Sequence, residues 1–199
     1  MPPLRTNAAN RVDNTSYYRS KTLAEKAAWD FMATDTNELE LTSVLPGLIL
    51  GPVLEEDFGN SANAVLKLLD GSMPAVPAMS FDIVDVRSVA ALRQRGMEQP
   101  AAAGQRFLGT SGFLTLAQVA ALLRTRFPDR RIPRRVLPNV LTQVLSWFDP
   151  AIQPILVDLG PQRQGDNRKA QQLLHWQLLD PQQVVIACAE SLLALGLVK

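Results

Sequence analysis

Tyr17-Tyr18-Arg19-Ser20-Lys21-Thr22-Leu23-Ala24-Glu25-Lys26, followed by Leu39-Glu40-Leu41-Thr42-Ser43-Val44-Leu45-Pro46-Gly47-Leu48-Ile49-Leu50, decides the architecture of this chain. Leu23, Ala24, Ala27, Ala28 and Phe31 recur at helical spacing and predict a helix over 17–33. Ser16 or Thr15 would cap it. The apolar density of the second stretch predicts a strand over 39–50 that is buried on both faces, as in a parallel sheet. Working outward, the periodicity predicts a helix at about 60–70 ending at Gly71, a strand over 81–86 and a helix at 88–97. A strand over 105–109, a helix over 116–127 and an irregular or briefly extended stretch at 128–138 follow. Helices then dominate, at 138–148, 167–174 and 181–195. Strands alternating with helices, and a helical tail, make an α/β chain.

Composition narrows the function. The 199 residues are 47% hydrophobic and 20% charged, enough for one sizeable core or for one domain and part of another. Lys and Arg number 20 against 19 Asp and Glu, so bulk charge points neither to nucleic acid nor to an acidic membrane surface. Cys188 has no second cysteine to pair with, and one Cys with one His builds no zinc site of the usual kind, so no metal is expected. Met1 to Asn10 holds no apolar signal region. The longest uncharged apolar stretch, Thr42 to Leu54, is broken by Pro46, Gly47, Gly51 and Pro52 and is too short to span a bilayer. A cytoplasmic chain with a reduced thiol and no membrane partner is the expectation. Arg124, Arg126, Arg130, Arg131, Arg134 and Arg135 form a local basic patch, but Phe127 alone is interleaved among them. A solvated surface accounts for them better than a nucleic-acid partner does.

Tyr17 and Lys21 lie four residues apart, on one face of a helix. An ammonium beside a phenol favours the phenolate and pulls its pKa down from about 10. Such a tyrosine can give its proton to a carbonyl oxygen as hydride reaches the carbon. The spacing alone also fits an exposed helix face carrying an aromatic and a lysine.

The surroundings change that balance. Tyr17-x-x-Ser20-Lys21-Thr22-x-Ala24-Glu25 resembles the active-site helix of the extended short-chain dehydrogenase/reductases, most closely their dihydroflavonol-reductase and aldehyde-reductase branch, within the NAD-dependent epimerase/dehydratase superfamily. Ala27-Ala28-Trp29-Asp30-Phe31 continues the resemblance, and Leu45-Pro46-Gly47-Leu48-Ile49-Leu50-Gly51-Pro52 is similar to the family's next strand and turn. Val84-Asp85-Val86-Arg87-Ser88-Val89-Ala90, Asp166-Asn167-x-Lys169-Ala170, Leu174-His175-Trp176 and Ala189-Glu190-Ser191-Leu192 follow in the family's order. The match runs from about residue 11 to 199.

The resemblance implies an NAD(P)-dependent oxidoreductase acting on a carbonyl or hydroxyl of a small organic substrate, with NADP or NAD as cofactor. It implies Tyr17 as general acid and Lys21 as its partner and ribose anchor, both touching cofactor. Pro46, Gly47 and Leu48 would lie against the nicotinamide through backbone groups, and Ser61 near the phosphates. Pro46 and Gly47 also read as a strand-ending turn, and Ser61 as a helix cap. Asp85 and Arg87 read as a helix cap and its ion pair. His175 stands where the family has glycine, and Ser88 and Arg93 where it often has Asp and His.

The family's Gly-rich fingerprint precedes its tyrosine by well over a hundred residues, and no G-x-x-G-x-x-G occurs in these 199. The family's catalytic Ser or Thr also lies upstream; Ser16 and Thr15 are too near Tyr17 to be it. The fold implied is therefore the C-terminal portion of a Rossmann-type doubly wound sheet, with the active-site helix and last strands, plus a mostly helical substrate-binding lobe. The division expected is an irregular loop over 1–16, the sheet remnant over 17–58 and the lobe over 59–199. An open apolar strand edge, visible as dye binding, and inactivity of the chain by itself are expected, with self-association or a complementing N-terminal chain as partner. The alternative is a non-catalytic binding or assembly module derived from the same family. The residues that choose NADH or NADPH lie in the upstream half.

Overall fold

The strand expected over 39–50 begins at Ser43 and is divided at Gly47 into β1 (Ser43–Pro46) and β2 (Leu48–Leu50). This is seen in a computed structural model that describes residues 16–36, 38–148, 153, 155–156, 158–160 and 164–198. At Gly47 the chain passes from one neighbour to another. β1 pairs in parallel with β5 (Arg106–Gly109), from Ser43 opposite Arg106 to Pro46 opposite Gly109. β2 pairs in parallel with β4 (Ser80–Asp85), from Leu48 opposite Ile83 to Leu50 opposite Asp85. A Cβ on residue 47 would stand 2.1 Å from the Asp82 carbonyl oxygen, so no side chain fits at the crossing point.

β4 also pairs antiparallel with β6 (Gly112–Thr115), and β3 (Val76–Pro77) pairs in parallel with β7 (Val136–Leu137). Burial on both faces is corrected by the structure. Leu39 is 58% exposed, residues 41–49 are half-buried, and Leu50 alone of the run is buried. The reason is pairing: among the described residues β1 has β5 as its one strand neighbour.

The helices fall close to their expected positions: α1 (Ser16–Thr34), α2 (Asn60–Leu69), α3 (Val86–Glu98), α4 (Leu116–Arg126), α5 (Asn139–Leu145), α6 (Arg168–Leu174) and α7 (Pro181–Ala194). Local chemistry sets their ends. Asp85 caps α3, and Asp180 caps α7, where proline takes the first turn. Thr115 and Gln118 form a reciprocal capping box on α4. Gly71, at φ +74°, follows the end of α2 in the left-handed conformation. A 3₁₀ turn occupies Pro100–Ala102. Ser16 lies inside α1 rather than before it, and the cap considered for Thr15, like residues 1–15 of the expected loop, lies outside the described residues.

Adjacent residues of β4 look to opposite layers. Ile83 packs with Val65, Leu68, Leu123 and Leu192 from α2, α4 and α7. Val84 packs with Leu92, Phe107, Leu174 and Trp176 from α3, β5 and the end of α6. Fully burying each such side chain stabilises the fold by about 2 kcal/mol. The result is a helix–sheet–helix arrangement with an α/β topology.

His175 stands where the resembled family has glycine, and its backbone is one that glycine suits. It ends α6 at φ 48° and ψ 37°, the left-handed conformation for which glycine is suited. Arg95 holds the turn by donating from Nη1 to the carbonyls of Leu174 (2.7 Å) and His175 (3.0 Å). Trp176 is pinned by its indole N–H to the Ser88 carbonyl at 2.7 Å. We expect His175→Gly to stabilise the chain by on the order of 0.5–1 kcal/mol, since relief of the Cβ clash exceeds the added unfolded-state entropy. A urea midpoint equal to or below that of the parent would contradict this.

Candidate active site

Helix α1 brings Tyr17, Lys21 and Glu25 onto one face, and Trp29 is its sole buried residue. The apolar residues that announced the helix mostly point elsewhere: Leu23 is 48% and Phe31 58% exposed, and only Ala28 of that set is half-buried. A polar clamp helps hold the helix. Arg106 of β5 donates from Nε to Glu25 Oε1 at 2.7 Å and from Nη2 to Oε2 at 2.9 Å. The Ser43 hydroxyl of β1 donates to Oε1 at 2.6 Å. Ser43 and Arg106 are register partners, so the carboxylate spans the two paired strands. Burial pushes the Glu25 carboxyl up, but hydrogen bonds from Arg106, Ser43 and Trp29 hold it below its ordinary value.

The clamp leaves the first turns of α1 reaching outward. Tyr17 is 63% exposed, with the Lys21 ammonium 5.5 Å from its ring centroid. This is a cation held over an aromatic face. Tyr18 packs edge-on to Tyr17, centroids 5.8 Å apart, and its hydroxyl donates to the Asp158 carboxylate at 3.2 Å.

Tyr17, Lys21, Pro46, Gly47, Leu48 and Ser61 all line a single cleft. The Gly47 N–H donates to the Gly109 carbonyl at 3.0 Å, which seats the turn between β1 and β2. Ser61 is the second residue of α2; Gly59 takes the cap position, without a side-chain bond, so the capping role considered for Ser61 is not the one it has. The uncapped start of α2 leaves backbone N–H groups and the positive end of the helix dipole beside Ser61. The cleft wraps the edge of β1 that has no strand partner among the described residues. Ser43 reaches Glu25 on the α1 side, while Thr42 donates to the carbonyls of Gly96 (3.3 Å) and Ala102 (2.8 Å) on the α3 side. Arg93, Gly96 and Met97 line it from α3.

The other singled-out residues have structural duties. Asp85 is fully buried; it accepts from the Arg87 backbone N–H and from Arg87 Nε and Nη2, each at 2.8 Å. Burial raises the Asp85 carboxyl, but these bonds keep it below its usual range. Burial pushes the Cys188 thiol up to about 11, so it carries no reactive thiolate. Arg124 donates to the Pro133 carbonyl at 2.5 Å and Arg126 pairs with Glu190 at 2.6 Å, tying part of the basic patch to the chain itself. Among the described residues no three His, Cys, Asp or Glu side chains cluster as metal ligands, and no helix is long and apolar enough to cross a membrane. The sequence reading missed Asp82, a half-buried carboxylate of β4 in the cleft wall. An isolated aspartate in a strand carries no motif, so no signal marked it.

No family model matches the chain. The ketoreductase azaE of Aspergillus niger is 31% identical over 150 residues, which are 69% of this chain and 44% of that protein. Dihydroflavonol 4-reductase of Zea mays is 32% identical over 120 residues, 60% of this chain and 33% of that protein. The crystal structure of Gre2 from Candida albicans in complex with NADPH superposes with a TM-score of 0.68 at 26% identity, over 90% of this chain and 51% of that one. The chain therefore spans less than half the length of these curated relatives.

The carboxylates give the fold a pH dependence with a definite sign. Glu25 and Asp85 are lowered from 4.5 and 3.8, so their stabilisation is present above those values and lost as pH falls through the folded pKa. Asp82 is raised by burial, so its contribution runs the other way and is lost as pH rises. The urea midpoint is expected to fall as pH drops below about 4.5, less steeply in Glu25→Gln than in the parent. Parallel pH profiles for the two proteins would show that Glu25 is not clamped.

Proposed function

We propose that this chain, a homologue of the extended short-chain dehydrogenase/reductases, supplies the Tyr/Lys helix, nicotinamide-facing turn and substrate lobe of an NAD(P)-dependent carbonyl reductase. The observation that carries the reading is the convergence of Tyr17, Lys21, Pro46, Gly47, Leu48 and Ser61 on one cleft from α1, the β1–β2 junction and α2. The residues suit a nicotinamide cofactor. Lys21 offers a donor for its ribose, the 46–48 turn brings backbone close, and Ser61 with the uncapped N–H groups of α2 suits a phosphate.

When bound, the cofactor supplies hydride to the carbonyl carbon of a small organic substrate. Tyr17 Oη gives its proton to the carbonyl oxygen, completing the alcohol. The Lys21 ammonium, 5.5 Å from the Tyr17 ring centroid, is a positive charge beside the phenol. Glu25 acts on both at a distance, by fixing the roll of α1 through Arg106 and Ser43.

The sheet remnant over 17–58 and the lobe over 59–199 are one half of this site in our reading. The 199 residues contain no Gly-rich fingerprint, so the pyrophosphate cradle comes from other polypeptide, joined or complementing. The open edge of β1 supports this, since a further strand can add there. The chain by itself is then inactive, and the reaction belongs to the cytoplasm, the compartment in keeping with a reduced thiol.

Carbonyl reduction, followed through loss of reduced cofactor, tests the reading in a polypeptide that joins these residues to a fingerprint-bearing half. Tyr17→Phe is expected to lower kcat by about 100-fold or more while cofactor affinity changes little. A fully active Tyr17→Phe would leave a binding or assembly module as the better account. Turnover by the 199 residues alone would contradict the inactivity proposed for them.

A further inference from the structure

Asp82 joins three parts of the cleft wall. Its backbone carbonyl stands where a side chain on Gly47 would be, so it sets the turn between β1 and β2. Its Oδ2 accepts the Gly165 N–H at 2.5 Å, across 83 residues of chain. A Cβ on Gly165 would lie 3.2 Å from that same oxygen and 3.2 Å from Thr110 Cγ2, so the loop lies tightly against both residues. Two residues on, the Asn167 amide donates from Nδ2 to the Thr110 carbonyl at 2.5 Å. The loop over 164–167 is thereby fastened to β4 at one end and to the residue after β5 at the other, before α6 begins. Asp82, Thr110, Gly165 and Gly47 line the same cleft as Tyr17 and Lys21.

We propose that Asp82 is a positioning residue for the substrate, fixing the 164–167 loop as a wall of the cleft through the Gly165 N–H. The role of that wall in binding substrate rests on the reductase reading; the fastening itself does not. A carboxylate suits the task because a charged acceptor bonds an amide N–H more strongly than a neutral one does. Its partial desolvation, which raises the carboxyl, is the cost of placing the acceptor inside the wall. Asparagine at 82 keeps an acceptor oxygen of the same reach, whereas alanine removes it.

Two measurements test this separately. Amide hydrogen exchange on the 199-residue chain reads the fastening. In Asp82→Ala the Gly165 amide should exchange about tenfold faster or more, with the β6 amides unchanged, and Asp82→Asn should lie between Asp82→Ala and the parent. Unchanged exchange at Gly165, or equal acceleration in β6, would overturn the proposal. In the joined, turnover-competent polypeptide, Asp82→Ala should raise KM for the carbonyl substrate about tenfold with kcat within about twofold, and Asp82→Asn should restore part of it. A loss confined to kcat would overturn the substrate role. Absence of turnover in the parent would count against the reductase reading instead, and the exchange result then decides the latch by itself.

Discussion

The carboxylate of Glu25, gripped by Arg106 and Ser43, is the contact on which the candidate site depends. Helix α1 buries a single side chain and exposes Leu23 and Phe31, so apolar packing alone does not fix its rotation. A bidentate guanidinium and a hydroxyl, presented from register partners in β1 and β5, do. Lys21 and Tyr17 lie one and two turns before Glu25 on the same face, so whatever sets Glu25 aims them as well. Arg106 is 41% exposed and the Glu25 side chain 12%, which makes this a partly screened pair whose value lies in geometry more than in energy.

The sheet meets this clamp with a compromise at Gly47. β1 serves β5 and β2 serves β4, and the missing Cβ at their junction lets the Asp82 carbonyl come close. The same junction supplies the backbone of the proposed nicotinamide turn. One glycine thus joins the packing of two sheets to the shape of the cleft. The other layer is conventional, with Ile83 and Val84 anchoring two apolar clusters on opposite sides of β4.

Much of this was legible from the residues. Helical periodicity and caps located the helices, and Tyr17-x-x-x-Lys21 in its setting carried the likeness to the reductases that are its relatives. Asp85 and Arg87 read correctly as a cap and ion pair because both partners are adjacent in sequence. What escaped was non-local. β3 holds only Val76 and Pro77, and β6 opens on Gly112 at four residues, so neither carries a strand signature of its own. The 39–50 run looked doubly buried because hydropathy does not report how many neighbours a strand has. The apolar residues that locate α1 are mostly exposed, because periodicity locates a face without saying what covers it. Asp82 and Gly165 are 83 residues apart, and no local pattern links them.

In our reading the face aimed by Glu25 and the turn at Gly47 belong to a single cofactor cleft. Titration of an isotope-labelled chain with NADPH, followed through backbone amide resonances, addresses it even where affinity is weak. Lys21, Gly47, Leu48 and Ser61 should shift together with one dissociation constant, while α5 and the 128–138 stretch stay still. Shifts confined to the arginines at 124–135, or none at the four named residues at saturating cofactor, would contradict it.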